Sequence, residues 1–274
     1  MKKIAVIGLG IIGGSICASL TKAGYIVHGI DISEEVVSFA LRKGYIDDIV
    51  KNIPDYDVVF VATPPRVAMR ILDTYSFKDS AIVCDICGIK SEIEHLVYSK
   101  SRNYRYVGLH PMAGKETSGI TSASADLFAM ASLVVTHTED TCQRAIAEIE
   151  AYAKAMRFGK IVKCTAEEHD KKIALTSQLA HIVSNAYVKS PQVVGCDGFT
   201  GGSFQDMTRI AGVDEAIWTE LYMSNREFLL AELDGLIDNL NKYKNALATE
   251  NEEELSETLK EGRLIRENMR FKRK

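Results

Sequence analysis

Long hydrophobic runs are missing from this chain of 274 residues. No stretch approaches the ~18 consecutive apolar residues of a membrane-spanning helix, so no membrane association is expected. An excess of one charge is missing as well: 33 Lys and Arg against 37 Asp and Glu leave a formal net charge of −4. That excludes a whole-protein field able to hold nucleic acid or an anionic lipid surface. Cysteine is sparse and scattered, with six residues at 17, 84, 87, 142, 164 and 196. Cys84 and Cys87 form a CxxC inside a strand-like run, but no second pair and no His pair at zinc spacing follows, so no metal site is expected. The opening MKKIAVIG has no signal-peptide cleavage pattern, which predicts a reducing, cytoplasmic location. Internal repeats and low-complexity segments are also lacking.

What is present is the composition of an ordinary globular protein, 46% hydrophobic and 26% charged. The length suits two domains, since one domain usually takes about 100 to 200 residues. Short β-branched runs at 4–7, 26–30, 58–62, 81–86, 106–109, 133–136 and 160–162 alternate with helical patterns. Such alternation predicts an α/β domain with a mainly parallel sheet covered on both faces. After about Cys164 the strand signal stops and helical patterns take over. The expected division is therefore an α/β domain over 1–164 and an all-α domain over 165–274. Asn251 followed by Glu252, Glu253 and Glu254 reads as the N-cap and acidic first turn of the last helix. No further α/β pattern follows the helical part, so no attached regulatory domain is expected.

The segment Gly8-Leu9-Gly10-Ile11-Ile12-Gly13 follows the first strand and opens a helix. In that context GxGxxG is a dinucleotide-binding fingerprint of the Rossmann type. Gly8 permits the tight turn, Gly10 lets backbone approach a pyrophosphate, and Gly13 packs helix on strand. The amides of Ile11, Ile12 and Gly13 at the helix start then face the phosphates. Asp31 ends the second strand, where a carboxylate accepts the hydroxyls of an adenosine ribose. It would repel a 2′-phosphate, and Ile32 and Ser33 offer no arginine to hold one, so NAD is expected rather than NADP. Thr63 and Pro64 end a later strand, at the edge where an open sheet presents its ligands, and are candidates for the cofactor's border.

Gly108-Leu109-His110-Pro111-Met112-Ala113-Gly114 then places a histidine in what reads as a glycine-bounded, proline-stiffened loop. An imidazole of ordinary pKa, ~6.5, is mostly neutral at pH 7, so His110 is a candidate base for alcohol oxidation. Downstream, Asp170, Ala174, Ser177 and His181 share one narrow helical face, with Leu175, Leu179, Ile182 and Ala186 opposite. That pattern predicts a pocket wall with a core side behind it.

The fingerprint with Asp31, the loop His110 to Glu116, the helix from His169-Asp170 through Ser177 and His181, and the segment 201–211 with Trp218 together resemble the prephenate/arogenate dehydrogenase family. The resemblance spans nearly the whole chain. It implies oxidative decarboxylation of prephenate to 4-hydroxyphenylpyruvate, on the way to tyrosine, by a homodimer joined through its helical domain. His110 would accept the proton of the ring hydroxyl while hydride leaves the same carbon for NAD. Arg209 would anchor the ring carboxylate, Glu116 would pair with it near the entrance, and Ser177, His181 and Trp218 would line the substrate pocket. Two positions depart from the family pattern. Gly88 stands where a serine often helps to position the catalytic histidine, and Gln178 stands where many relatives carry histidine. Oxidation of arogenate, giving tyrosine directly, remains an alternative. A non-catalytic NAD-sensing protein is a further one. A hydroxyacid dehydrogenase of the same build is disfavoured by the histidine loop.

Overall fold

The computed structural model describes residues 2–115 and 117–269. The chain forms two compact units, Met1–Asn225 and Arg226–Lys274.

The first unit is built on one sheet of eight strands: β1 (Ile4–Ile7), β2 (Val27–Ile30), β3 (Asp48–Ile49), β4 (Val58–Val61), β5 (Ile82–Asp85), β6 (Arg105–Met112), β7 (Ser132–Thr136) and β8 (Lys160–Cys164). Their order is β3-β2-β1-β4-β5-β6-β7-β8, and every pairing is parallel except β6 with β7. The two-residue β3 was not expected, because two residues give no periodic signal. The helices are α1 (Ile11–Lys22), α2 (Glu34–Arg42), α3 (Pro65–Thr74), α4 (Ser91–Tyr98) and α5 (Gln143–Ala155). Alternate strand residues feed two cores, as the two-residue side-chain period requires. Ile4, Val6, Val58 and Phe60 pack on one face with Ile16 and Leu20 of α1 and Ile146 and Ile149 of α5. Ala5, Ile7, Val59 and Val61 pack on the other with Ala68, Ile71 and Leu72 of α3 and Ile93 and Val97 of α4. Cys84 and Cys87 are buried, and burial raises both thiols well above their ordinary pKa, leaving them protonated.

The same unit continues through α6 (Ala166–Ile173), a π-helical turn (Ala174–Leu179), α7 (Ala180–Tyr187), α8 (Gly202–Thr208) and α9 (Glu215–Ser224). The expected core side of this helical stretch is corrected. Leu179 is buried, but Leu175 and Ala186 are exposed, whereas Asp170 and Ala174 on the expected pocket side are buried. The polar side turns inward at this end because Asp170 bonds to the start of α4, described below.

The second unit consists of α10 (Arg226–Ala248) packed against α11 (Glu252–Asn268). Asn251 caps α11 as expected, its Oδ1 accepting from the Glu254 amide at 3.0 Å. Apolar side chains including Leu230, Ile237, Leu240, Leu259, Leu264 and Ile265 stay exposed on these two helices. Among the described residues no helix is long and apolar enough to cross a membrane.

On α4, Glu94 is buried, and among the described residues its Oε1 has no hydrogen-bond partner. Burial pushes its pKa up from 4.5 to about 7, against the attraction of Lys90. The proton is thus held more tightly folded than unfolded. The resulting stability is complete below pH 4.5 and is lost as pH rises to about 7. Glu94→Gln keeps a neutral side chain at every pH. In urea titrations it should be more stable than the unsubstituted protein by on the order of 1–3 kcal/mol at pH 8 and by much less at pH 5. A gap that does not change with pH would contradict the assignment.

Candidate active site

Parallel topology brings the loops after β1, β2, β4 and β5 to one edge of the sheet, where the winding reverses between β1 and β4. Gly8 adopts φ +90, and a β-carbon there would lie 2.5 Å from the Ala62 carbonyl oxygen and 2.9 Å from Thr63 Cγ2. Gly13 is equally constrained, since its β-carbon would meet the Gly8 carbonyl oxygen at 1.9 Å. Gly10, at the N-cap of α1, faces open space and supplies no side-chain cap. The first-turn amides, those of Ile11, Ile12 and Gly13, have no intrahelical acceptor to use. This cradle fits a pyrophosphate.

Asp31 directly follows β2 with both carboxylate oxygens engaged. One carboxylate oxygen accepts from the Leu9 amide at 2.8 Å and the other from the Ser33 amide at 3.0 Å. It therefore braces the glycine loop, and each oxygen keeps lone-pair capacity. Thr63 sits beside Gly8, with a buried Oγ1 that has no partner among the described residues, and Pro64 is exposed just before α3.

His110 is corrected from loop to strand. It lies in β6, opposite Val134 of β7, and Pro111 opposite Leu133. Pairing of β6 with β5 ends at Gly108, which leaves one side of the strand open where a proline is tolerated. Gly108 is required by crowding. A β-carbon there would meet Thr136 Oγ1 at 2.3 Å and Lys90 Cδ at 3.3 Å.

Lys90, which the sequence reading passed over, is fully buried and pairs with the equally buried Asp85. Asp85 also accepts from the Tyr106 hydroxyl at 2.6 Å and the Cys87 amide at 2.9 Å. The Lys90 and Ser91 amides donate to the two carboxylate oxygens of Asp170 at 2.9 and 2.7 Å. Asp170 Oδ1 faces His169 Nδ1 at 2.7 Å, and His169 Nε2 faces His110 Nδ1 at 2.8 Å. Part of His110 reaches the surface, yet burial of its ring, with His169 and Lys90 adding to the effect, holds its pKa well below the usual 6.5. The imidazole is neutral at pH 7 and able to accept a proton.

A pocket of about 490 Å³ unites His110 with Ser177, His181, Arg209 and Trp218, and with Ile11 at the start of α1. That volume suits a small-molecule site. His181 Nδ1 donates to the Ile210 carbonyl at 2.9 Å, leaving Nε2 for the pocket, and its ring lies 4.0 Å, centroid to centroid, from that of Trp218. Ser184 donates to the Met207 carbonyl at 2.7 Å and Asn185 to the Ala211 carbonyl at 3.1 Å. These three bonds from α7 fix the segment that carries Arg209, and the sequence offered no periodic signal for the last two. Glu116 lies outside the described residues. Gln178 is buried, donating to the Leu221 carbonyl at 3.1 Å and accepting from Asn225 at 2.7 Å. At Gly88 a β-carbon would fit without strain, 3.7 Å from His110 Nε2.

Comparison with known proteins gives two family matches, the prephenate dehydrogenase nucleotide-binding domain over residues 16–162 and the prephenate dehydrogenase dimerization domain over 165–261. The first match begins beyond the glycine loop, so that loop is read from its geometry. A prephenate dehydrogenase of Lactococcus lactis is 30% identical, with the alignment covering 98% of this chain and 78% of that protein. A cyclohexadienyl dehydrogenase of Zymomonas mobilis is 33% identical over 97% of this chain and 95% of its own length. Among solved structures, prephenate dehydrogenase from A. aeolicus in complex with hydroxyphenyl propionate and NAD+ superposes with a TM-score of 0.83 at 29% identity, covering 97% of each chain. With family matches along most of its length and a 33% identical relative aligned nearly end to end, the chain belongs to the prephenate dehydrogenase family.

Proposed function

We propose that this chain is an NAD-dependent dehydrogenase that oxidises prephenate to 4-hydroxyphenylpyruvate with loss of CO2, a step toward tyrosine. The observation that carries the proposal is the pocket uniting His110, Ser177, His181, Arg209 and Trp218 beside Ile11 at the start of α1. Gly8, Gly10 and Gly13, with the amides of Ile11 and Ile12, would hold the pyrophosphate. Asp31 would take the ribose hydroxyls and exclude a 2′-phosphate, and Thr63 and Pro64 would border the cofactor. Bound NAD supplies the hydride acceptor.

His110 Nε2 removes the proton of the ring hydroxyl as hydride departs from the same carbon. Arg209 holds the ring carboxylate, a task to which a planar guanidinium is matched. The bond to that carboxylate then breaks, CO2 leaves, and the electron pair enters the ring to complete aromatisation. The proton on His110 returns to solvent or to the phenolic oxygen. His181, with Nδ1 committed to Ile210, presents Nε2 to the substrate, Ser177 offers a hydroxyl, and Trp218 forms the apolar wall.

The domain division we propose is 1–164 for the nucleotide and 165–274 for substrate and dimerisation. The match to a dimerization domain and the exposed apolar side chains of α10 and α11 support a homodimer. All six cysteines are free thiols, which suits the cytoplasm.

Four measurements test this reading. NADH formation should follow addition of NAD with prephenate, and arogenate assayed in parallel distinguishes the alternative substrate; no NADH with either would point to a protein that only senses NAD. His110→Asn should lower kcat by about 10²- to 10⁴-fold while NAD affinity is retained, and undiminished turnover would remove the assigned base. Arg209→Ala should act chiefly on KM, raising it about ten- to a hundred-fold. A fall in kcat at unchanged KM would contradict its role as anchor. Sedimentation at micromolar concentration should give a dimer, and a monomer there would overturn the proposed assembly.

A further inference from the structure

Gly88 leaves open what orients His110. Behind the ring, on the side away from Gly88, stands a pair of buried neighbours in sequence, His169 and Asp170, each only 2% exposed. His110 Nδ1 lies 2.8 Å from His169 Nε2, and the two rings meet edge to face at 65°. His169 Nδ1 lies 2.7 Å from Asp170 Oδ1. Asp170 is held from its far side by the Lys90 and Ser91 amides, and its own carbonyl accepts from Asn225 Nδ2 at 2.9 Å.

With His169 neutral, proton accounting along this line has one solution. Burial works against ionisation of Asp170, but hydrogen bonds from His169 and Ser91 outweigh it and its pKa lies below the ordinary value. An ionised carboxylate only accepts, so His169 Nδ1 must carry a hydrogen. In neutral His169 the Nε2 atom is then a bare lone pair and accepts from His110 Nδ1–H. His110 Nε2 is left without a hydrogen, 3.7 Å from where a β-carbon on Gly88 would sit.

We propose that His169 and Asp170 are positioning residues that fix His110 as the Nδ1–H tautomer, so that Nε2 is the atom that takes the substrate's hydroxyl proton. The proposal rests on the oxidation assigned above but deepens it at one atom. When Nε2 gains its proton, the imidazolium keeps its Nδ1–H bond to His169, and the Asp170 carboxylate stabilises the new charge through that ring. No proton need leave Nδ1. In this chain the pair supplies the orientation that a serine at position 88 would otherwise provide, and it does so from the opposite side of the ring.

The test begins with the unsubstituted, full-length protein. Two-bond ¹⁵N–¹H spectra of histidine-labelled protein, with the His110 signals identified by their loss in His110→Asn, should display His110 as the Nδ1–H tautomer. An Nε2–H tautomer would overturn the proposal whether or not prephenate is a substrate, so failure of the positioning role and failure of the assigned activity are separable. Asp170→Asn offers His169 Nδ1 a donor in place of an acceptor and should reverse both rings. His110 should become Nε2–H and kcat should fall by about 100-fold or more, with KM for prephenate within about three-fold. Because Asp170 also caps α4, His169→Asn is the companion variant. Its amide retains the bond to Asp170 but does not reach His110. It should lose kcat in the same way, at unchanged KM and with melting temperature retained. Unaltered kcat in either folded variant, or a loss confined to KM, would reduce the pair to a structural contact.

Discussion

The buried carboxylate of Asp170 is the contact on which the site depends. Taking an ionised group out of water is costly, and here the cost is offset by two backbone amides at the start of α4 and by His169. The positive end of the α4 dipole adds to that stabilisation. One side chain thereby joins the helical segment that begins at α6 to the carboxyl edge of the sheet. Glu220 of α9 makes a second such junction, accepting from the Arg66 amide in the first turn of α3. Two helices that start at this edge are thus closed by carboxylates belonging to the protein. α1, by contrast, begins at Gly10 with no side-chain cap, which suits the pyrophosphate proposed for it.

Beneath this junction the buried Lys90–Asp85 pair sets the electrostatics. Such a pair gains little net stability once desolvation is counted, and its removal one partner at a time is far more damaging than its presence is helpful. What it provides is fixed geometry. Asp85 collects Lys90, Tyr106 and the Cys87 amide, which pins the turn 85–90 under the pocket. Lys90 in turn needs space beside β6, and Gly108 grants it by lacking a side chain. The lysine's charge, after burial and His169, is a further influence disfavouring a charged His110. A glycine two residues before the base is thus linked, through the lysine stem it accommodates, to the protonation state of that base.

Much of this was legible in the sequence because it depends on local rules. The glycine fingerprint, Asp31 and the alternation of strands and helices follow from backbone sterics and short-range periodicity, and the first two lie together at the carboxyl edge of the sheet. His110, Ser177, His181, Arg209 and Trp218 were gathered by motif and converge on one pocket. What escaped notice depends on pairing fixed only by the fold. Lys90 reads as a surface lysine until Asp85 is seen beside it, and the chain from His110 through His169 to Asp170 crosses 59 positions between its two histidines. Strand β6 outlasted its expected end because β7, which supplies its last partners, lies about twenty residues downstream. Helical-wheel reasoning put Ser177 and His181 on the side where they line the cavity, but misplaced Asp170 and Ala174, which are buried, and Leu175 and Ala186, which are exposed. The wheel assigns a whole face one role, whereas here the polar side chain at its start docks on α4. The π turn at Ala174–Leu179 also breaks the period on which the wheel rests.

The two sides of the pocket are held by different forces. His110 sits in a strand flanked by Leu109 and Leu133 of the main core, so displacing it means opening the sheet. Arg209 follows α8, which buries none of its residues and is fixed chiefly through His181, Ser184 and Asn185 to backbone carbonyls. Segments with few buried apolar contacts open at lower free energy than core strands. The base proposed above is consequently held by a core strand, as proton transfer over a defined distance requires. The anchoring side is the part of the pocket able to yield as a charged substrate enters. A reaction that needs one atom placed accurately and a whole ring admitted past it is served by that division. It follows from which residues are buried, not from any special property of the helices themselves.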